Sequence, residues 1–195
     1  MLPNISHILL DAARMGNAIS AAMELNPTFD SLYRGRSEES LSEVAPYLFS
    51  FGFNTGFGNW YMEHGWGNAW GVLICSSYPM EELHKHFRKF LIVGTEDDHQ
   101  LYFRFYDPRV LRVFLPTCDA AQLHEFFGPI EYFIMEDEDS SLAIKYFLQN
   151  GVLHSQKIKC EDIIPGISNT AAPEQNTLEE PPAQKTSKPK WNMLE

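Results

Sequence analysis

Short apolar runs and helical patterns alternate irregularly along this chain, and that alternation limits the fold more than any single motif. "HILLDAA" (7–13), "YLFSF" (47–51), "AWGVLICS" (69–76) and "IEYFIM" (130–135) are far too short to cross a membrane and read as buried strands. "FDSLYRG" (29–35) reads as a further strand ending in a turn. Between the strands lie helix patterns. "NAISAAMEL" (17–25) is stopped by Asn26-Pro27. "SEESLSEVAP" (37–46) reads as a helix with Ser37 as cap and Pro46 as stop. In "PMEELHKHFRKFL" (79–91), Met80, Leu83, Phe87, Phe90 and Leu91 recur at helical spacing, with Glu81 and Glu82 early and Arg88 and Lys89 late. The expected class is α/β, with α+β as the alternative: a single mixed-sheet domain with flanking helices.

Local signals place several boundaries. The glycine- and aromatic-rich stretch 52–71 reads as a loop with a short helix near 59–64. "HQLYFRFY" (99–106) alternates, which predicts a strand with Leu101, Phe103 and Phe105 on one face. Asp107-Pro108 then starts a helix, aspartate as cap and proline at the first helical position. Asp119-Ala-Ala-Gln122 starts another as a capping box, closed by Gly128-Pro129. Asn150-Gly151 joins two runs into a C-terminal β-hairpin. Beyond residue 168 the chain turns proline-rich and polar, so the expectation is a globular domain over 1–168 and a flexible tail over 169–195.

Charge and cysteine usage narrow the class of function. The formal net charge of −11 argues against nucleic-acid and anionic-membrane partners. Cys75, Cys118 and Cys160 lie far apart, without a C-x-x-C pair, which predicts reduced thiols and a cytoplasmic setting. The N-terminal segment lacks the basic start and long apolar run of a secretory signal.

Motifs for enzyme chemistry are incomplete. Gly35-Arg-Ser37-Glu-Glu39 lacks the last glycine of a nucleophile elbow. His124-Glu125 would begin a zinc-protease pair, but position 128 is glycine; Glu63-His64 would end an inverted one, but position 60 is tryptophan. His84 and His86 are two apart on a helix and point to different faces. The Gly56 and Gly65 doublets lack the third glycine of a phosphate loop. The acidic run 136–139 reads as a solvated turn. The expectation is therefore a chain without catalytic residues, metal or cofactor.

The densest mixture of charge and aromatic residues is "LYFRFYDPRVLRVFLP" (101–116). Asp107 with Pro108 reads as a helix cap. Arg104, Asp107 and Arg109 suit an internal ion-pair network, while Arg104, Arg109 and Arg112 equally suit recognition of a carboxylate on a partner. Trp66 and Trp70 are candidate partner anchors, with core packing as the competing reading. Trp191, near the end of the tail behind Lys185, Lys188 and Lys190, is a candidate short binding motif.

Taken in order, "LLDAA", "SLY" (31–33), "APYL" (45–48), "GWGNAWG" (65–71), "MEELHKHFRKFL", "FRFYDPRVLRVFLP" and "FFGP" (126–129) resemble the adaptor-chaperone family of bacterial type VI secretion, catalogued as domain of unknown function 4123. The resemblance spans about residues 7 to 135. It implies a non-enzymatic protein that binds a specific secreted effector and helps load it onto the VgrG spike. Two alternatives stay beside it: an immunity-type protein that blocks a basic toxin with an acidic surface, and a hydrolase whose site is assembled from distant residues.

Overall fold

A computed structural model describes residues 4–34, 41–51, 55–94 and 100–163. Its centre is a seven-stranded sheet in the order β2-β3-β1-β4-β7-β8-β9. The strands are β1 (His7–Asp11), β2 (Phe29–Ser31), β3 (Pro46–Ser50), β4 (Gly71–Cys75), β7 (Tyr132–Glu136), β8 (Leu142–Gln149) and β9 (Val152–Lys159). A separate two-stranded ribbon pairs β5 (Ile92–Gly94) with β6 (Gln100–Tyr102). The α/β class holds. The sheet is antiparallel in every described pairing, however, where a mixed sheet was expected.

β1 and β4 are buried at every position, which explains the apolar runs 8–10 and 72–75: the sheet is covered on both faces. Register sorts their side chains. Ile8, Leu10, Phe49, Leu73 and Ile134 point to one layer; Leu9, Leu48, Val72, Ile74 and Phe133 point to the other. The first layer is closed by α1 (Ala12–Met15), α2 (Ala18–Leu25) and α3 (Thr55–His64), through Met15, Ile19, Phe57 and Tyr61. The second is closed by α4 (Met80–Arg88), α5 (Pro108–Phe114) and α6 (Ala120–Phe127), through Leu83, Phe87, Leu111, Leu123 and Phe126. Burying each such side chain is worth ~1.5–3 kcal/mol, so the two helix layers supply most of the driving force.

The capping signals at Asp107 and Asp119 are confirmed. Asp107 accepts from the Arg109 backbone N–H with Pro108 in the first turn, and Asp119 and Gln122 form a reciprocal capping box. The expected hairpin is β8–β9, turned by Asn150 (φ 53°) and Gly151 (φ 75°), the left-handed pair that such a tight turn requires.

Four readings change. In the described part of the helix expected over 37–46 there is only a 3-10 turn, Ser42–Val44, and Pro46 opens β3. The helix expected near 59–64 begins at Thr55. The strand expected over 99–106 ends at Tyr102. Phe105 and Tyr106 are both buried, because the chain turns there with Asp107 N–H donating to the Arg104 carbonyl. Glu136 is the last residue of β7 and 5% exposed, not part of a solvated turn. Ser37, residues 95–99 and the tail 169–195 with Trp191 lie outside the described residues.

Candidate functional site

Asp11 ends β1 and caps α1, its Oδ1 accepting from the Ala13 N–H at 3.0 Å. Its Oδ2 accepts from Arg104 Nη2. Asp107 caps α5 in the same manner and holds the Arg109 guanidinium with both oxygens, at 3.1 Å to Nε and 2.8 Å to Nη2. Arg104 Nη2 also lies 4.0 Å from Asp107 Oδ2, so one guanidinium spans both carboxylates. Both acids are 1% exposed, whereas the Arg104 and Arg109 side chains are about two-fifths exposed. Burial raises the Asp11 carboxyl above its ordinary value, and the Arg104 guanidinium opposes that rise. The Tyr33 and Tyr106 side chains lie beside this network, and burial raises both phenols above their ordinary value.

The expected structural network of Arg104, Asp107, Pro108 and Arg109 is thus one physical cluster, completed by Asp11. Arg112 diverges from it and donates to the Glu136 carbonyl at 2.6 Å. The Glu136 carboxylate lies against the backbone of Gly67 and Ala69, with its Oε1 buried and without a hydrogen-bond partner among the described residues, and burial pushes its pKa up to about 7. Trp66 and Trp70 belong to the other side of the sheet. Trp66 is 8% exposed, with its indole N–H donating to the Ser140 carbonyl at 2.8 Å. In this conformation it is a packing residue and offers no surface to a partner. Trp70 is half-buried against Trp60, ring centroids 5.7 Å apart.

His84 and His86, expected on different faces of their helix, are both buried and both hydrogen-bonded to carbonyls. His84 Nε2 contacts the Ser31 carbonyl at 2.7 Å, and His86 Nε2 contacts that of Phe126 at 2.8 Å. Arg88 Nη1 donates to the Leu32 carbonyl at 3.1 Å. Two contacts therefore stitch α4 to the chain at the end of edge strand β2. Between them and the β5–β6 ribbon lies a groove of about 830 Å³. Leu32, Met80, Leu91 and Ile92 supply its apolar lining; Arg34, Lys85, Arg88 and Lys89 supply cations; Tyr33 and Tyr102 are its aromatic members. Tyr102 is 65% exposed. Tyr33 joins the groove to the ion-pair network through Tyr106.

The cysteines are unpaired, and burial raises all three thiols, Cys118 to about 12 and Cys160 to about 11. At neutral pH they are protonated and poor nucleophiles. Among the described residues, no group of three or more His, Cys, Asp or Glu is placed to hold a metal ion, and no helix is long and apolar enough to cross a membrane.

Sequence reasoning missed Asp11, Glu136 and the groove. Asp11 carried a readable signal, aspartate before Ala12-Ala13 at a strand end, which is an N-cap pattern. The groove carried none, because its walls come from segments far apart in the chain. A family model described as a domain of unknown function (DUF4123) matches residues 7–125, which takes in every element from β1 into α6. No curated protein and no solved structure matches the chain.

Proposed function

This chain belongs to the DUF4123 family, and from that premise we propose that it is an adaptor-chaperone that binds a secreted effector and helps mount it on the VgrG spike of type VI secretion. The observation that carries the reading is the groove between α4, β2 and the β5–β6 ribbon. It is lined by apolar, aromatic and cationic side chains, the residue types that dominate protein–protein contact. The buried charges behind it are already committed. Asp11 and Asp107 each cap a helix and hold an arginine, which is the work of a scaffold. The resemblance of the ordered segments from "LLDAA" to "FFGP" to effector adaptors supplies the identity of the partners. An immunity-type role would present an acidic face to a basic toxin; the groove is cationic and favours the adaptor reading.

The test is purification of the tagged full-length chain from its native host, with mass spectrometry of what is retained. The expected result is one spike protein and one effector in the same eluate, both absent from a mock purification. Recovery of neither refutes the reading. Recovery of a toxin alone, neutralised on binding, favours the immunity role instead.

A further inference from the structure

The groove does not stop at α4. On the far side of that helix lies a second depression of about 280 Å³, lined by Tyr78, Glu82, His86 and Pro129, and it shares Lys85 and Lys89 with the first. The two form one strip crossing a lysine ridge, with Tyr102 (65% exposed) at one end and Tyr78 (53% exposed) at the other. Its charge runs against that of the whole molecule. The chain carries −11. The first groove sets four cations, Arg34, Lys85, Arg88 and Lys89, against two acids, Asp30 and Glu81. Arg34 is tied to Asp30 at 2.6 Å, and Lys85 to Glu81 at 2.8 Å and to Glu82 of the second depression at 3.4 Å. Four cations thus face three acids along the strip, and among the described residues Arg88 and Lys89 are matched by no acid of the lining.

We propose that this strip binds an extended, acidic segment of a partner protein that carries apolar anchors. Glutamates or aspartates of the segment meet Arg88 and Lys89, with Lys85 on the ridge between the two depressions, and its apolar side chains enter the pocket above Leu32, Met80 and Leu91. The inference rests on the adaptor reading for who supplies the segment, but its chemistry comes from the strip. Nucleic acid fits less well, since its charge runs along the whole polymer whereas the strip leaves only two cations, Arg88 and Lys89, unmatched by an acid of its lining. One stretch of this chain has the same chemistry as the proposed ligand: Leu178-Glu179-Glu180.

The probe is a fluorescein-labelled synthetic peptide of alternating Glu and Leu, titrated with the full-length chain and followed by fluorescence anisotropy. An otherwise identical Gln–Leu peptide is the reference. The Glu peptide is expected to bind at least ~tenfold tighter, and the gap to close as added salt shortens the Debye length. Lys85 and Lys89 are exposed, so K85E/K89E leaves the core intact. That variant is expected to lose the preference and to bind a Lys–Leu peptide instead, a reversal that mere loss of fold does not produce. Should the double variant fail to fold, Lys89→Gln alone is expected to cut the preference by ~threefold or more. Equal binding of the Glu and Gln peptides by the wild type overturns the proposal, as does an undiminished preference in the folded variants. So does tighter binding of a single-stranded oligonucleotide than of the Glu peptide. If the preference emerges only in E179K/E180K, the strip is filled by the chain's own tail, and a partner segment is ruled out. The adaptor reading is judged separately: a K85E/K89E chain that still retrieves spike and effector at the wild-type level sinks the strip and spares the adaptor.

Discussion

Asp107→Ala is the sharpest test of the ion-pair scaffold. The side chain makes three separable contributions. As a cap it satisfies one orphan N–H of α5, worth ~1 kcal/mol. It also accepts two charge-assisted bonds from Arg109. Because the Arg109 side chain is 43% exposed, water replaces much of what it loses, and ~1 kcal/mol is a fair allowance. The more distant approach of Arg104 adds little, since Arg104 keeps Asp11. The expected loss is ~2 kcal/mol, or a fall in Tm of ~4–8 °C for a chain of this size. Asp107→Asn separates the contributions, because asparagine caps as well as aspartate but carries no charge; it should lose only about half as much. Urea denaturation followed by tryptophan fluorescence measures both variants, and a double-mutant cycle with Arg109→Ala should return a coupling of ~1 kcal/mol. If the Ala and Asn variants are equally stable, the cap contributes nothing. If both lie within ~0.5 kcal/mol of the wild type, the scaffold argument is refuted.

Three further outcomes follow from single contacts. The folded chain holds the Glu136 proton up to about pH 7, against an ordinary value of 4.5, so between those pH values the folded state binds more protons than the unfolded state and the contribution of Glu136 declines as pH rises. Glu136→Gln, a permanent mimic of the neutral acid, should match the wild type near the acid end of that window and exceed it by roughly 3 kcal/mol at pH 8, as read from denaturation midpoints across pH; a constant difference would contradict the assignment. Burial lowers His7 and His86, which gives a slope of opposite sign below pH 6.5, but both are present in wild type and variant and cancel in the difference. Trp66→Phe removes both the bond to the Ser140 carbonyl and part of the buried indole and should cost ~2 kcal/mol; an unmoved melting temperature would mean that the indole is neither engaged nor packed there. Gly128→Ala should cost ~2 kcal/mol in the same assay, since φ is 44° and an added Cβ would lie 2.5 Å from His86 Cε1, and a neutral result would show that the loop shifts freely.

What was legible in the sequence is what acts over short range. Asp107-Pro108, Asp119 with Gln122, and Asn150-Gly151 each fix a few consecutive dihedral angles, and each stands where the local chemistry demands. The same rule applied to Asp11, but the residue is embedded in an apolar run and its partner Arg104 is 93 positions away. The alternation of Leu101, Phe103 and Phe105 failed for a related reason. Phe105 stacks on Phe87 at 5.7 Å and meets Phe126 edge-on at 5.7 Å, so the demand of the second core layer overrides a strand pattern once the ribbon has ended at Tyr102. Glu136 was illegible in principle. On a strand buried on both faces the period-two signal vanishes, and an acid at its end looks like the start of the acidic turn that follows.

On the proposed reading, the charges of residues 101 to 116 serve recognition indirectly. Asp107 faces inward, used up in capping α5 and holding Arg109, so its effect on the groove is the position it imposes on neighbours. Tyr33 is the link: it lines the groove and packs against the core cluster that holds Tyr106, the residue immediately before the Asp107 cap. Tyr102 stands across from it, ring centroids 6.5 Å apart. A groove wall built from a tyrosine pair loses little rotamer freedom when a ligand arrives, because one ring is already held from behind. On that reading the rigid network belongs to the energetics of binding without touching the proposed ligand. Loosening it should weaken the groove's affinity even where every lining side chain is kept.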